Sequence, residues 1–402
     1  MAKQAVKKGA GVKTSGLAAF KEKRGMNYNE KTSNDVASNA DKPMEWLLMP
    51  RCWQEATGIP GVPQGYLTSI LGHPSTGKST FVNHIMVAAQ SQSLIPVLFD
   101  TENNFSFEYA KNMGFQAEPV YGDVEYEEVD AETGEIRTVT KKNVVKGWNG
   151  NFLYFNNKIL CEQYGSWNYA EGKQMAKKRK EAVLEDIAMC IGDLLEAQEN
   201  GEINQGMVFI WDSIGSIGCY KEYASSKLLG NNMWTANAIS VSFNKLWNSL
   251  LPSSRKISSP HTNTMVTVSK VWLESNAVGA PTLHAKGGAS GIYSCRLQFA
   301  LGGISTSGVK RITATAHGQT YTIASETRIR TLKNQLNEPY GATRDSKLII
   351  TGIGFLAPDE IEHYKKTHFA EILKQLQDLS GDNSITENDI VFGEEIDAGN
   401  DE

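Results

Sequence analysis

One segment of this chain has the residue types and the spacing of a phosphate-binding loop. It fits the pattern G-x-x-x-x-G-K-[ST] and reads Gly72, His73, Pro74, Ser75, Thr76, Gly77, Lys78 and Ser79, with Thr80 after it. In such a loop, backbone N–H groups point at phosphate oxygens, and the next helix adds its positive N-terminal end. We expect Lys78 to reach the outer phosphates, the Ser79 hydroxyl to bind Mg²⁺, and His73 to be a spacer without a catalytic role. The segment predicts binding of a nucleoside triphosphate; a chance glycine-rich turn is the alternative.

The residues on either side of this loop have the patterns of the strand and the helix between which a phosphate-binding loop lies. Residues 66–71 form an apolar run typical of a buried strand. After the loop, apolar side chains recur at helical spacing, at Phe81, Ile85, Met86 and Ala89. Strand, loop and helix therefore follow one another in the order of a nucleotide-binding unit.

Two acidic residues are candidates for the chemistry that follows nucleotide binding. Asp212 ends the apolar run 207–212, and we expect its carboxylate to hold Mg²⁺; an Asp that caps the next helix is the alternative. Glu102 follows the apolar run 95–100, and we expect it to activate water; a surface glutamate is the alternative. Tyr109 is expected to pack against a nucleotide base, or to have a plain packing role.

The apolar runs also predict the fold. Residues 95–100, 207–212 and 264–269 are nearly continuous apolar strands separated by helical stretches. This pattern is typical of a mostly parallel sheet covered on both faces, in an α/β protein. Ligands of such folds lie outside the carboxyl ends of the strands, so Glu102 and Asp212 are expected near the phosphates.

Composition limits the other possibilities. The 402 residues carry a net charge of −5, and 40% of them are hydrophobic. No apolar run reaches the ~18–20 residues of a membrane span, and no secretory signal is predicted. The five cysteines are scattered, which disfavours a zinc site or a disulfide framework and suits a reducing cytoplasm.

Charge and motif positions divide the chain into predicted regions. We expect a flexible basic arm at 1–44, an ATPase core at 45–355, a C-terminal helix region at 356–380 and an acidic disordered tail at 381–402. Within the core, residues 122–167 are predicted to be a hairpin insertion. Helices are predicted at 171–199, 236–250 and 358–378, and late strands at 309–316, 320–324, 328–333 and 347–353.

Several segments, in order, resemble the RecA-like recombinases, and among them the phage UvsX type. They are residues 59–65 before the first core strand, the phosphate-binding loop, Leu98–Glu102, Phe209–Ser213, the glycine-rich segment Gly287–Ser294 and the segment Arg330–Tyr340. Together they cover about residues 60–355. The resemblance implies a RecA-like P-loop NTPase core, with a small C-terminal α/β region, that binds ATP and Mg²⁺. It also implies that Glu102 is the catalytic glutamate and that Tyr109 stacks on adenine.

The resemblance further implies a helical filament on DNA, in which each ATP lies between adjacent copies of the chain. Lys333 would be the cation that reaches the neighbouring copy's ATP, with Arg330 nearby, while Gln335 stands where the family often has a second lysine. The family's phosphate-sensing Asn and Gln or His are replaced by Ser269 and Lys270. A lysine is a point charge, so Lys270 would hydrogen-bond the phosphate differently from an amide, and this bears on the coupling of hydrolysis to DNA binding.

DNA contacts are expected from two loops, at 217–235 and 271–290. The residues with suitable chemistry are Met233, Trp234, Trp272, Lys286, Gly287 and Gly288. Core packing is the alternative for both tryptophans, and a tight turn is the alternative for the two glycines.

The function expected from the sequence is ATP-dependent pairing and strand exchange by a filament on single-stranded DNA. The expected partners are single-stranded and double-stranded DNA and further copies of the chain, with single-strand-binding and mediator proteins left open. A hexameric helicase, an ATP-binding recombinase paralogue or mediator, and a signalling ATPase of the same fold are the alternatives. The expected location is the cytoplasm, that of the bacterial host if the chain is phage-encoded.

Overall fold

The protein is described by a computed structural model that covers residues 40–129, 136–225, 232–274, 282–285, 294–303, 308–336 and 345–396. Its strands are β1 (Trp46–Leu48), β2 (Gly61–Pro63), β3 (Leu67–Gly72), β4 (Ile95–Asp100), β5 (Glu118–Val129), β6 (Ile136–Asn149), β7 (Leu153–Asn156), β8 (Trp167–Asn168), β9 (Lys173–Gln174), β10 (Met207–Ile214), β11 (Thr264–Glu274), β12 (Thr282–Ala285), β13 (Leu297–Leu301), β14 (Lys310–Ala316), β15 (Gln319–Asn334), β16 (Asp345–Thr351), β17 (Gly354–Leu356) and β18 (Val391–Ile396).

Helices connect and cover these strands. They are α1 (Arg51–Thr57), α2 (Lys78–Ser91), α3 (Phe107–Asn112), α4 (Asn157–Tyr164), α5 (Leu184–Glu199), α6 (Tyr220–Ala224), α7 (Asn232–Lys245), α8 (Leu251–Ser254), α9 (Ile361–Thr367) and α10 (Phe369–Ser380). A π-helical stretch, Leu246–Leu250, joins α7 to α8. Short 3-10 turns lie at Pro358–Glu360 and Glu387–Asp389.

A 12-stranded sheet forms the centre of the protein, with the strand order β17-β16-β15-β13-β3-β11-β10-β4-β7 along its main path. The neighbours from β13 to β7 are all parallel, whereas β15, β16 and β17 add antiparallel strands at one side. The predicted mixed α/β fold with a largely parallel centre is confirmed.

Two apolar clusters cover the two faces of the sheet. On β10, Val208 and Ile210 point into one cluster, while Phe209 and Trp211 point into the other. This division follows from the alternation of side chains along a strand. The first cluster contains Phe81 of α2, and the second is completed by side chains of α5 and α7. All the strand residues named here are fully buried, which explains why β10 reads as a continuous apolar run.

The hairpin insertion predicted at 122–167 has different bounds in the structure. Strands β5 and β6 pair antiparallel from Glu118 to Asn149, and the residues between them lie outside the described part of the chain. The prediction is wrong beyond residue 149, because β7 is an edge strand of the central sheet and pairs with β4. Phe155 of β7 stacks on Phe99 with 5.4 Å between the ring centroids, and this packing holds the edge strand in the core.

Four other predicted elements have different bounds. The helix predicted at 171–199 begins only at Leu184, because residues 177–181 are charged and lack an apolar repeat. The main-chain N–H of Val183 donates to the Asp186 carboxylate at 2.8 Å and marks the first turn. The strands predicted at 320–324 and 328–333 are one strand, β15, and the final helix is interrupted at His368.

The two ends of the chain were both predicted to lack regular structure. At the C-terminal end this is wrong for Val391–Ile396, which pairs with β14 as β18. The free edge of β14 and the apolar residues Val391 and Phe392 explain the pairing better than the surrounding charge does. At the N-terminal end, residues 1–39 lie outside the described part, and Asp41 bridges to Lys256. Among the described helices, none is long and apolar enough to cross a membrane.

Candidate nucleotide-binding site

The phosphate-binding loop lies between the end of β3 and the start of α2, at the carboxyl edge of the parallel strands. A Cβ on Gly72 would lie 2.6 Å from the Thr76 hydroxyl oxygen and 2.8 Å from the Leu301 carbonyl oxygen. Gly77 has a φ of +94°, and a Cβ there would lie 2.8 Å from Ile350. Both positions therefore need glycine, and the turn keeps the close main-chain packing that a phosphate cradle requires.

Lys78 is the partly buried cation of the loop. Its ammonium group donates a hydrogen bond to the His73 carbonyl oxygen at 2.5 Å. Burial lowers the pKa of Lys78 to about 8, although the charges of Asp212 and Glu102 act in the opposite direction. A partly buried ammonium group beside a glycine turn fits an anionic ligand such as a phosphate.

Acidic residues gather on the neighbouring strands. Asp212 of β10 lies beside Asp100 of β4 in the parallel pairing, and Glu102 follows β4. Burial, together with the charges of Glu102 and Asp100, raises the pKa of Asp212 to about 7. A carboxylate whose pKa is raised by neighbouring carboxylates fits a divalent cation.

The described residues contain no cluster of three or more His, Cys, Asp or Glu side chains arranged to hold a metal by themselves. Mg²⁺ in nucleotide sites takes one or two protein ligands and completes its shell with phosphate oxygens and water. The Ser79 hydroxyl at the start of α2 and the Asp212 carboxylate are therefore suitable ligands.

Asp100 differs from its two acidic neighbours because its carboxylate is engaged in hydrogen bonds that stabilise the local structure. It accepts hydrogen bonds from the main-chain N–H groups of Asn104 and Phe105, at 3.2 and 3.0 Å, and from the Tyr154 hydroxyl at 2.9 Å. Asp100 thus shapes the turn that carries Glu102. The sequence places Asp100 at the strand end but does not show this positioning role, since Tyr154 lies far along the chain.

Glu102 is held by two side chains from other strands. It accepts a hydrogen bond from the Ser213 hydroxyl, and one carboxylate oxygen lies 3.0 Å from the ammonium nitrogen of Lys270. Burial alone would raise the pKa of Glu102, but the bonds from Ser213 and Lys270 lower it below its ordinary value. The carboxylate is therefore charged and fixed in direction at neutral pH.

The two residues expected to sense phosphate lie beside the loop. In the pairing of β11 with β3, Ser269 lies opposite Leu71 and Lys270 lies opposite Gly72. Ser269 is buried, while the Lys270 side chain is 42% exposed and points at Glu102. The structure thus brings Lys270, Glu102, Asp212 and Lys78 together, as the predicted parallel sheet requires.

Tyr109 contacts the helix of the loop. Its hydroxyl shares a hydrogen bond with the Thr80 hydroxyl at 2.9 Å and donates to the Thr351 carbonyl oxygen at 3.0 Å. These bonds fix the ring between α2 and β16. The ring remains partly exposed, so the packing role and the expected contact with a base are compatible.

Lys333 does not lie near the loop of its own chain. On β15 it is opposite Gln298 of β13, which is opposite Ser69 of β3. This places Lys333 two strands away from β3 and about 10 Å along the strands from Gly72. The side chain lies near the thiol of Cys295, and its charge acts to lower the pKa of that thiol against the larger effect of burial.

The residues expected to contact DNA lie in different environments. Met233 is 72% exposed at the start of α7, whereas Trp234 packs against the second apolar cluster, with the ammonium nitrogen of Lys221 4.6 Å from the ring centroid. Trp272 is part of β11 and lies opposite His284 of β12, so the loop expected from residue 271 begins as a strand pair. The other three residues, Lys286, Gly287 and Gly288, lie outside the described part.

Comparison with known proteins gives a family match that includes the loop and its flanking elements. The family model of the RecA N-terminal domain matches residues 50–126. Protein RecA of Aquifex aeolicus is 38% identical over 66 residues, which are 16% of this chain and 19% of that protein. Protein RecA of Mesoplasma florum is 32% identical over 102 residues, or 24% of this chain and 28% of that protein.

These matches support a relationship to the RecA family. The RecA-like segment includes the phosphate-binding loop, Glu102 and Tyr109. The chain spans about a fifth of the length of the first curated relatives that it matches. The remaining strands of the sheet, including β10 and β11, lie outside the segment that matches the RecA family model.

Proposed function

We propose that this protein is an ATP-dependent DNA recombinase of the RecA type, which assembles as a helical filament on single-stranded DNA and promotes pairing and strand exchange with a duplex. The observation that carries the proposal is the convergence of Lys78, Glu102, Asp212 and Lys270 around a loop shaped for phosphate. The similarity of residues 50–126 to the RecA N-terminal domain supports a RecA-type protein over other ATPases with a phosphate-binding loop.

The residues of this chain have distinct roles in the proposal. Lys78 and the main-chain N–H groups of residues 72–79 bind the phosphates, and Ser79 and Asp212 hold the metal. Glu102 orients the attacking water and accepts its proton, since Ser213 and Lys270 fix its carboxylate. Bound ATP supplies the γ-phosphoryl group, and Mg²⁺ neutralises charge on its oxygens.

Lys333 has a role only in an assembly. Because it lies away from its own loop, it would act on the ATP of an adjacent copy. A cation that arrives from a neighbour stabilises charge on the γ-phosphate, so hydrolysis depends on assembly along DNA. The UvsX-like character and a phage source remain part of this proposal.

The test is negative-stain imaging of the pure protein with single-stranded DNA and a slowly hydrolysed ATP analogue, together with ATP turnover measured with and without DNA. Helical filaments and turnover stimulated by DNA are expected. The Lys78→Ala variant should lose nucleotide binding or turnover, while Lys366→Ala, an exposed lysine on α9, should behave as wild type. Full activity in Lys78→Ala would remove the assigned role of the loop.

Other outcomes identify the alternatives. Closed rings that move along DNA would indicate a helicase. Filaments without strand exchange, with stimulation of another recombinase, would indicate a mediator, an alternative favoured by Lys270 where the family has an amide. Lone particles in the presence of both DNA and nucleotide would contradict the proposal.

A further inference from the structure

A run of basic residues lies outside the nucleotide site and has no role in the mechanism above. The chain has a net charge of −5, yet residues 177–180 read Lys177, Lys178, Arg179 and Lys180. The three lysines are exposed, whereas Arg179 is 4% exposed. Lys158 of α4 is also exposed and lies near the run. We refer to Lys158, Lys177, Lys178 and Lys180 as the basic strip.

Arg179 anchors the basic strip to the protein. Its guanidinium group donates two hydrogen bonds to the Asp186 carboxylate, at 2.5 and 3.0 Å, and both side chains are fully buried. The Asp186 carboxylate also accepts the Tyr169 hydroxyl and the Val183 main-chain N–H, each at 2.8 Å. The segment that carries three of the lysines is therefore fixed in position, and binding a ligand there would cost little ordering.

The strip borders an open cleft. The cleft has a volume of about 620 Å³ and is lined by Lys158, Lys178 and Lys180, and by Ser216 and Gly218 from the segment after β10. Two carboxylates, those of Glu162 and Glu181, also line it. Glu162 lies 4.0 Å from the Lys158 ammonium nitrogen, and both side chains are mostly exposed, so this pair is weak. The ammonium group of Lys178 donates to the Glu162 main-chain carbonyl oxygen at 2.8 Å, and the cleft with Lys177 beside it has an excess of positive charge.

The cleft reaches Gly218, which lies just before α6. Tyr220 of α6 has its ring 5.8 Å from the Arg179 guanidinium carbon, and its main-chain N–H donates to the Glu185 carboxylate at 2.9 Å. One residue later, Lys221 lies over the ring of Trp234. A cation and an aromatic ring side by side are the groups that bind phosphates and bases of a single strand.

We propose that the basic strip is a contact site for the phosphate backbone of single-stranded DNA, continuous with α6 and its Lys221. This inference rests on the proposed function, because it assumes that the protein binds DNA. A polyanion is favoured over a small anion because the lysines are spread along an open cleft, with no enclosed set of donors. A single strand is favoured over a duplex because the strip leads towards Trp234, a partly exposed aromatic side chain of the kind that stacks on unpaired bases.

The test replaces three lysines of the strip by neutral residues of similar length, Lys177→Gln, Lys178→Gln and Lys180→Gln in one variant. Binding of fluorescent oligothymidine is measured against salt concentration, with the slowly hydrolysed ATP analogue present. Each phosphate contact with a single strand contributes about 0.7 to the slope of log affinity against log salt. The magnitude of this slope should therefore be smaller by about 2 in the variant. A fourfold rise in salt concentration should then reduce the affinity of wild type for oligothymidine ~20-fold more than the affinity of the variant.

Two controls make the result specific. A variant with Lys347→Gln, Lys366→Gln and Lys374→Gln has the same change in net charge on exposed lysines elsewhere, and it should keep the wild-type slope. A variant with Lys177→Arg, Lys178→Arg and Lys180→Arg should also keep it. Far-ultraviolet circular dichroism and thermal melting confirm that each variant is folded.

The possible results separate the two proposals. If wild type does not bind single-stranded DNA in the presence of nucleotide, the proposed function fails. If wild type binds and the glutamine variant keeps its slope, the assignment of the strip is wrong while the function stands. If the substitutions change only the affinity for a duplex, the strip contacts duplex DNA and the single-strand proposal is overturned.

Discussion

Removal of the Asp186 carboxylate should destabilise the protein strongly. Both side chains of the Arg179–Asp186 pair are 0% exposed, and the carboxylate accepts four hydrogen bonds. In Asp186→Ala the buried guanidinium group would have no opposing charge. Loss of one partner of a buried pair costs about 3–5 kcal/mol. For 402 residues that unfold together, an unfolding entropy of ~2.1 cal/mol/K per residue converts this loss into a fall of about 4–6 °C in Tm.

The assay is unfolding by heat and by urea, followed by circular dichroism, with Asp193→Ala as the matched control. Asp193 also lies on α5 and accepts a tyrosine hydroxyl, that of Tyr164, at 2.8 Å, but it is exposed. Its removal should change the free energy of unfolding by no more than about 0.5 kcal/mol. If Asp186→Ala loses no more stability than the control, the buried pair does not hold this region.

A double variant tests whether the loss comes from the uncompensated charge. Arg179→Met with Asp186→Leu removes both charges and fills the space with apolar groups, which in other buried pairs is often neutral for stability. We expect this variant to recover most of the loss. A double variant as unstable as Asp186→Ala would show that the hydrogen bonds, rather than the charge balance, stabilise the segment.

Three further predictions concern the nucleotide site and its support. Burial lowers the pKa of His84 to about 3, and its ring accepts the Phe355 main-chain N–H at 3.1 Å. Because His84 is neutral in the folded protein, its contribution to stability is present above pH ~6.5 and is lost as the pH falls towards 3, by up to about 1.4 kcal/mol between pH 7.5 and 5.5. Urea unfolding at the two pH values measures this loss, His84→Gln should remove most of it, and an equal loss in that variant would contradict the assignment. Lys270→Gln removes the cation beside Glu102 and should lower kcat about tenfold, with Lys270→Arg retaining activity; an unchanged kcat in steady-state turnover would exclude a role for the charge. Lys333→Ala should keep ATP binding, measured by fluorescent nucleotide, but lose DNA-stimulated hydrolysis by about 10²–10³-fold; normal turnover in assembled protein would refute it.

The parts of the site that are local in the chain are the parts that the sequence predicts. Gly72–Ser79 needs its own glycines and the adjacent strand and helix, so eight consecutive residues carry the information. Glu102 and Asp212 are found because apolar runs end at them and because parallel strands share one edge. The partners of Glu102, Ser213 and Lys270, come from two other strands, and their contacts with it appear only when the strand order is known.

The segments for which the predicted structure is wrong are those whose structure depends on a partner distant in sequence. The helix predicted from residue 171 begins at Leu184, since Asp186 and the buried Arg179 hold the preceding residues in an irregular, non-helical path. The acidic residues near the C-terminal end favour disorder by composition, but β14 offers an unpaired edge, and Val391–Ile396 pairs with it. Neither partner is close in sequence, so neither periodicity nor composition can reveal it.

The position of Lys333 allows a sharper test of the proposed assembly than a single variant does. A lysine two strands away from its own loop can serve a nucleotide in a head-to-tail array, in which each interface joins the loop of one copy to Lys333 of the next. Lys78→Ala lacks a working loop and Lys333→Ala lacks the cation, so each variant alone should be nearly inactive on DNA. In an equal mixture, an interface is complete when a Lys333→Ala copy supplies the loop and a Lys78→Ala copy supplies the lysine. Random mixing makes about a quarter of the interfaces complete, so turnover should recover to about 25% of wild type. A mixture that forms mixed filaments yet stays as inactive as its parts would show that Lys333 does not act across the interface.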